Sequence, residues 1–76
     1  MPLREETFGD RMRQAREAMD LTKDELARLG LRCDIARLSG FEMNLWTPSI
    51  KELIALCDEL EISADWLLGL SEEGGP

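Results

Sequence analysis

Two tetrads of the form Ser/Thr-x-x-Glu, Thr22-Lys23-Asp24-Glu25 and Ser49-Ile50-Lys51-Glu52, each head a run of apolar residues at helical spacing. In such a capping box the hydroxyl accepts from the backbone N–H three residues on. The Glu carboxylate in turn accepts from the N–H of the capping residue, so two helix-start donors are satisfied at once. Each tetrad therefore sets where a helix begins, and in a chain of 76 residues two such starts imply short helices. No sustained apolar/polar alternation and few β-branched residues argue for strands. The expected class is all-α, with five short helices.

The first helix is expected over Thr7–Met19, with Phe8, Met12, Ala15 and Met19 on one face and Arg11, Arg13, Arg16 and Glu17 on the others. The second starts at Thr22, turns Leu26 and Leu29 inward and stops at Gly30. Asp34 is the expected N-cap of a third, short helix carrying Ile35, Leu38 and Phe41, which ends at Asn44, a residue that tolerates the left-handed conformation. The fourth carries the stripe Ile50, Leu53, Ile54, Cys57 and Leu60. Ser63 caps a fifth, with Trp66 and Leu67 facing in. The organisation expected is an N-terminal arm over residues 1–6, one domain over residues 7–70 and a flexible acidic tail over residues 71–76.

Composition narrows the function classes. The net charge is −7, but its distribution is uneven: up to Met43 there are eight basic and nine acidic residues, and from Asn44 onward Lys51 faces seven acids. No apolar run approaches the roughly 18 residues a membrane span needs, and no signal peptide is visible, so a cytoplasmic location is expected. With no histidine and only Cys33 and Cys57, the chain lacks the ligands of a usual zinc site, and no metal or other cofactor is expected. Both cysteines read as reduced thiols, Cys57 in the core and Cys33 near a helix start. Without histidine or tyrosine, and with serines at caps or on a helix surface, no nucleophile and base come together, so no enzyme is expected.

Five pieces in order, Arg13 with Arg16, Leu21-Thr22-Lys23-Asp24-Glu25-Leu26-Ala27, Leu38-Ser39-Gly40-Phe41-Glu42, Pro48-Ser49 and Ala64-Asp65-Trp66-Leu67-Leu68, carry a resemblance. The chain resembles the Cro and phage-repressor, or XRE-like, helix-turn-helix family from about Phe8 to Leu70. The resemblance implies a lambda-repressor-like domain with its motif at about residues 22–42. It makes Ala27 the small residue where the two motif helices cross, and pairs Arg16 with Glu42 between the first and third helices. The family spacing from the small residue to the first apolar residue of the recognition helix is ten; from Ala27 to Leu38 it is eleven, so the turn Gly30-Leu31-Arg32-Cys33 is expected to be altered.

Registered back from Glu42, the residues offered to a DNA groove are Asp34, Ile35, Ala36 and Arg37, with Ser39 and Gly40 a turn later. Arg37 is the one among them suited to bidentate base readout, and Ala36 is suited to a thymine methyl. Lys23 matches a phosphate-contacting position, and Arg11, Arg13, Arg28, Arg32 and Arg37 complete a possible basic face; solvated helix faces with pairs such as Arg13–Glu17 are the alternative. After Asn44, where the family often carries Lys or Arg, stand Leu45 and Trp46. Trp46 either folds over the core edge or joins Leu45 as an exposed anchor for a protein partner.

The leading expectation is therefore a transcriptional regulator that binds double-stranded operator DNA as a homodimer, with Trp66, Leu68 and Leu70 as candidates for the dimer contact. The alternatives are a helix-turn-helix scaffold turned to protein binding (an antirepressor, an antitoxin-like partner or a phage or mobile-element inhibitor) and a dimerisation or scaffolding domain without groove contact.

Overall fold

The computed structural model describes residues 4–76; of the expected N-terminal arm, residues 1–3 lie outside the described residues. Helix α1 spans Arg4–Ala18, so it takes in residues 4–6 and leaves Met19 beyond its end and exposed. Helix α2 (Lys23–Glu25) runs without a break into a π-helical stretch, Leu26–Leu31. Helices α3 (Ile35–Glu42), α4 (Ile50–Leu60) and α5 (Ala64–Leu67) follow. The described residues contain helices and no strand, in keeping with the all-α class.

Both capping boxes form. Thr22 N–H donates to Glu25 Oε1 at 2.9 Å while Glu25 N–H donates to Thr22 Oγ1 at 3.1 Å. The matching distances at Ser49 and Glu52 are 2.8 and 3.2 Å. Ser63 Oγ accepts from Trp66 N–H at 3.1 Å, as its place before α5 requires.

The core is built from Phe8, Met12 and Ala15 of α1, Leu26 and Ala27 at the start of the π-helical stretch, Leu38 and Phe41 of α3, Leu56 and Leu60 of α4, then Ile62, Trp66 and Leu67. Burial of each large member contributes about 1.5–3 kcal/mol. Helix α1 packs on α3 and α5, and the π-helical stretch packs on α4. At the α1–α3 crossing a Cβ on Gly9 would run into the Glu42 carbonyl, so glycine permits the close approach. The Gly9 N–H donates to Asn44 Oδ1 at 2.9 Å and ties α1 to the end of α3.

The turn of the motif differs from expectation. The second helix does not stop at Gly30; it ends at Arg32, which is left-handed at φ 54°. The Ala27 carbonyl accepts from the Arg32 N–H and, at 2.9 Å, from the Cys33 N–H. An i→i+5 winding takes up more residues per turn than an α-helix. That is how the eleven-residue step from Ala27 to Leu38 is accommodated. Leu29 is 66% exposed rather than inward, because the widened turn no longer returns it to the face of Leu26.

Helix α4 also presents a different face. Ile50, 77% exposed, and Ile54 point outward, while Leu53, Leu56, Cys57 and Leu60 form the packed i, i+3, i+4, i+7 row. Ile35 is likewise exposed at the start of α3.

The tail folds back on the domain. Arg11 Nη1 donates to the carbonyls of Trp66 and Ser71 at 2.6 and 2.9 Å, and Nη2 reaches both Glu72 oxygens at 3.1 Å. Its guanidinium lies 5.0 Å from the Trp66 ring centre. Ser63 N–H donates to the Gly74 carbonyl at 2.9 Å, and Gly75 lies against the Trp66 ring.

Candidate nucleic-acid interface

Helix α3 is fastened from behind. Arg16 of α1 donates through Nε to Glu42 Oε2 at 2.7 Å and through Nη2 to Oε1 at 3.3 Å, and its Nη1 reaches the Leu21 carbonyl at 2.8 Å. The side chains are only 10% and 3% exposed. A buried guanidinium needs this full set of acceptors, since an ion removed from water without partners carries a penalty of several kcal/mol. The pair therefore joins α1, the turn before α2 and the end of α3 in one geometry.

At its other end α3 starts on Asp34, whose backbone is extended (ψ 146°) and whose side chain makes no capping hydrogen bond. Beyond it Ile35, Ala36 and Arg37 are exposed and Ser39 is half-buried. Gly40 is not on that face. It is buried under the Trp46 ring, and a Cβ there would collide with the indole.

Arg37 already holds a partner. Its Nε donates to Glu52 Oε2 at 2.6 Å and its Nη2 to Oε1 at 2.8 Å, with the guanidinium 5.1 Å from the Phe41 ring centre. Glu52 is the capping-box carboxylate of α4, so Oε1 also accepts from Ser49 N–H. The Arg37 guanidinium, helped by Ser49, holds the Glu52 carboxyl down to about 2. Glu52 in turn raises the Arg37 pKa. Sequence reasoning placed Glu52 in its cap but missed it as the partner of Arg37, fifteen residues away; only the acid in the second capping box hinted at it.

Three of the other arginines expected on a basic face have partners too. Arg11 is held by α5 and the tail, Arg13 pairs with Asp10 at 3.1 Å rather than with Glu17, and Arg28 pairs with Asp24 at 2.8 Å. Among the described ion pairs none includes Lys23 or Arg32, which lie within the motif at the start of α2 and at the left-handed turn.

Leu45 is exposed and Trp46 is 52% exposed, with one face of the indole seated on Gly40. Trp46 also lines a cavity of about 420 Å³ with Phe8, Pro48, Leu53, Leu68 and Leu70. Trp46 thus covers an edge of α3 and still presents apolar surface. Of the candidates for a dimer contact, Leu70 is exposed, Leu68 is half-buried and Trp66 is buried beneath Arg11 and the tail, so Trp66 offers no free face.

Burial pushes the thiols of Cys33 and Cys57 up, with nearby Glu52 adding to the rise at Cys33. Among the described residues no cluster of acidic or cysteine side chains could hold a metal ion, and no helix is long and apolar enough to cross a membrane.

A short helix pinned at its C-terminal end and exposed at its N-terminal end, following a capped helix and a tight turn, defines a helix-turn-helix protein. A helix-turn-helix family model matches residues 12–67, and the chain belongs to that family, the XRE-type helix-turn-helix proteins. It is 34% identical over 71 residues to the uncharacterized HTH-type transcriptional regulator YobD of Bacillus subtilis (strain 168), an alignment covering 91% of this chain and 61% of the relative's length. No solved structure gives a significant match.

Proposed function

We propose that the protein is a DNA-binding transcriptional regulator of phage-repressor type that acts in the cytoplasm as a homodimer on a palindromic operator, by binding rather than by catalysis. In this reading α3 enters the major groove with Ile35, Ala36, Arg37 and Ser39 toward the base edges and Asp34 at its mouth, while Lys23 and Arg32 meet phosphates. The observation that carries it is the Arg16–Glu42 pair, which ties the C-terminal end of α3 to α1 while Ile35, Ala36 and Arg37 at its start stay exposed. The name of the Bacillus relative supports the same reading.

The test is selection of a duplex from a random pool at about 50 and 200 mM salt, where displaced counterions make affinity fall steeply as salt rises. Enrichment of a two-fold symmetric site supports the proposal; no enrichment at either salt overturns it. A second reading, a protein-binding module, is favoured by Leu45 and Trp46, which are exposed where the family often carries a cation. That reading predicts that Trp46→Ala abolishes partner binding while leaving any DNA affinity intact.

A further inference from the structure

We propose that Glu52 competes with DNA for Arg37, so that the guanidinium reaches a guanine edge only by leaving the carboxylate, and the Arg37–Glu52 pair sets both affinity and guanine preference. This rests on the DNA-binding reading above. Arg37 presents a planar two-donor fork, with Nε and Nη2 at 2.6 and 2.8 Å from the two oxygens of one carboxylate. The same fork matches the O6 and N7 acceptors of guanine, and one fork cannot serve both.

The pair is unlike the exposed ion pairs elsewhere on the helices. Asp10 and Asp24 sit one helical turn from their arginines, with side chains 70% and 57% exposed. Glu52 is 17% exposed, and its carboxylate is anchored on α4 by the Ser49 N–H, whereas Arg37 is 45% exposed. The arginine is the partner free to move, and the carboxylate cannot follow it. Because Glu52 stays ionised at neutral pH, protonation does not release Arg37 there, and a competing acceptor must.

Glu52→Gln isolates the effect, since glutamine serves as well as glutamate at this position of a capping box and keeps the helix start. Binding to the selected duplex is measured for wild type, Glu52→Gln, Arg37→Ala, the double variant and Asp58→Asn, which removes an equal charge from α4, with circular dichroism to confirm folding. Glu52→Gln is expected to bind roughly tenfold tighter, the scale of a charged hydrogen-bonded pair no longer broken on binding, and to discriminate about tenfold more against loss of one guanine. Both gains should vanish in the Arg37→Ala background, and Asp58→Asn should change affinity by less than about twofold.

Wild-type binding that Glu52→Gln leaves unchanged would overturn this inference alone. So would a gain that persists without Arg37, or that Asp58→Asn reproduces. No binding to any duplex by any variant would overturn the DNA reading, and this inference with it.

Discussion

Two of the described Arg–Glu pairs close at nearly the same distance in opposite circumstances. Arg16–Glu42 closes at 2.7 Å with side chains 10% and 3% exposed; Arg37–Glu52 closes at 2.6 Å with 45% and 17% exposed. Geometry alone does not distinguish them. Surroundings do: the first is enclosed between α1 and α3 beside a glycine contact, and its remaining donor is satisfied by a backbone carbonyl. The second lies at the surface, where water can replace either partner. The first therefore belongs to the scaffold that orients α3, and the second to the face that scaffold presents.

The largest expected effect tests the buried pair. Glu42→Ala leaves the Arg16 guanidinium buried without its carboxylate and should lower unfolding free energy by about 3–5 kcal/mol in urea titration. A loss under about 1 kcal/mol would place this pair in the same category as a surface bridge. Next in size is Gly9→Ala, whose methyl would meet the Glu42 carbonyl. It should cost about 1–3 kcal/mol by forcing α1 and α3 apart, read from the same titration.

The surface pair should respond weakly. Arg37→Ala is expected to change stability by less than about 1 kcal/mol, as for exposed pairs in general. Its pH dependence follows from Glu52, whose carboxyl is lowered from 4.5 to about 2 in the fold. A group lowered by folding stabilises above its unfolded value and loses that contribution as pH falls through its folded value. The stability difference between wild type and Glu52→Gln should thus be complete above pH 4.5 and disappear toward pH 2. A difference that stays constant across that window would remove Glu52 from the account.

Local signals were legible because they act across three or four residues. The capping boxes at Thr22 and Ser49 and the Ser63 cap stand where the pattern put them. Longer-range features were legible only in part. The eleven-residue step from Ala27 to Leu38 showed that the turn had to change, but whether an extra residue loops out or winds into the helix depends on packing against α4, which no local pattern encodes. Gly30 looked like a helix stop; the chain instead ends this helix on left-handed Arg32, and Gly30 lies against Leu26 and Glu59. Apolar spacing put Ile50 and Ile54 inward, yet Leu53, Leu56, Cys57 and Leu60 satisfy the same helical period equally well, and only the tertiary contacts select that row.

Of the candidate interface, the resemblance supplied the Arg16–Glu42 pairing. The partners of Arg11 and Arg37 were hidden because their acids lie 61 and 15 residues away.

The most direct test of the account is heteronuclear NMR of the wild-type protein titrated with a duplex pool at about 50 mM salt and then raised to about 200 mM, since contacts to phosphates weaken as salt rises. Binding through α3 should give salt-reversible amide shifts at Lys23, Arg32 and Ile35 to Ser39, with Leu45 and Trp46 little changed. Shifts confined to Leu45 and Trp46, or no shifts at the lower salt, would contradict it.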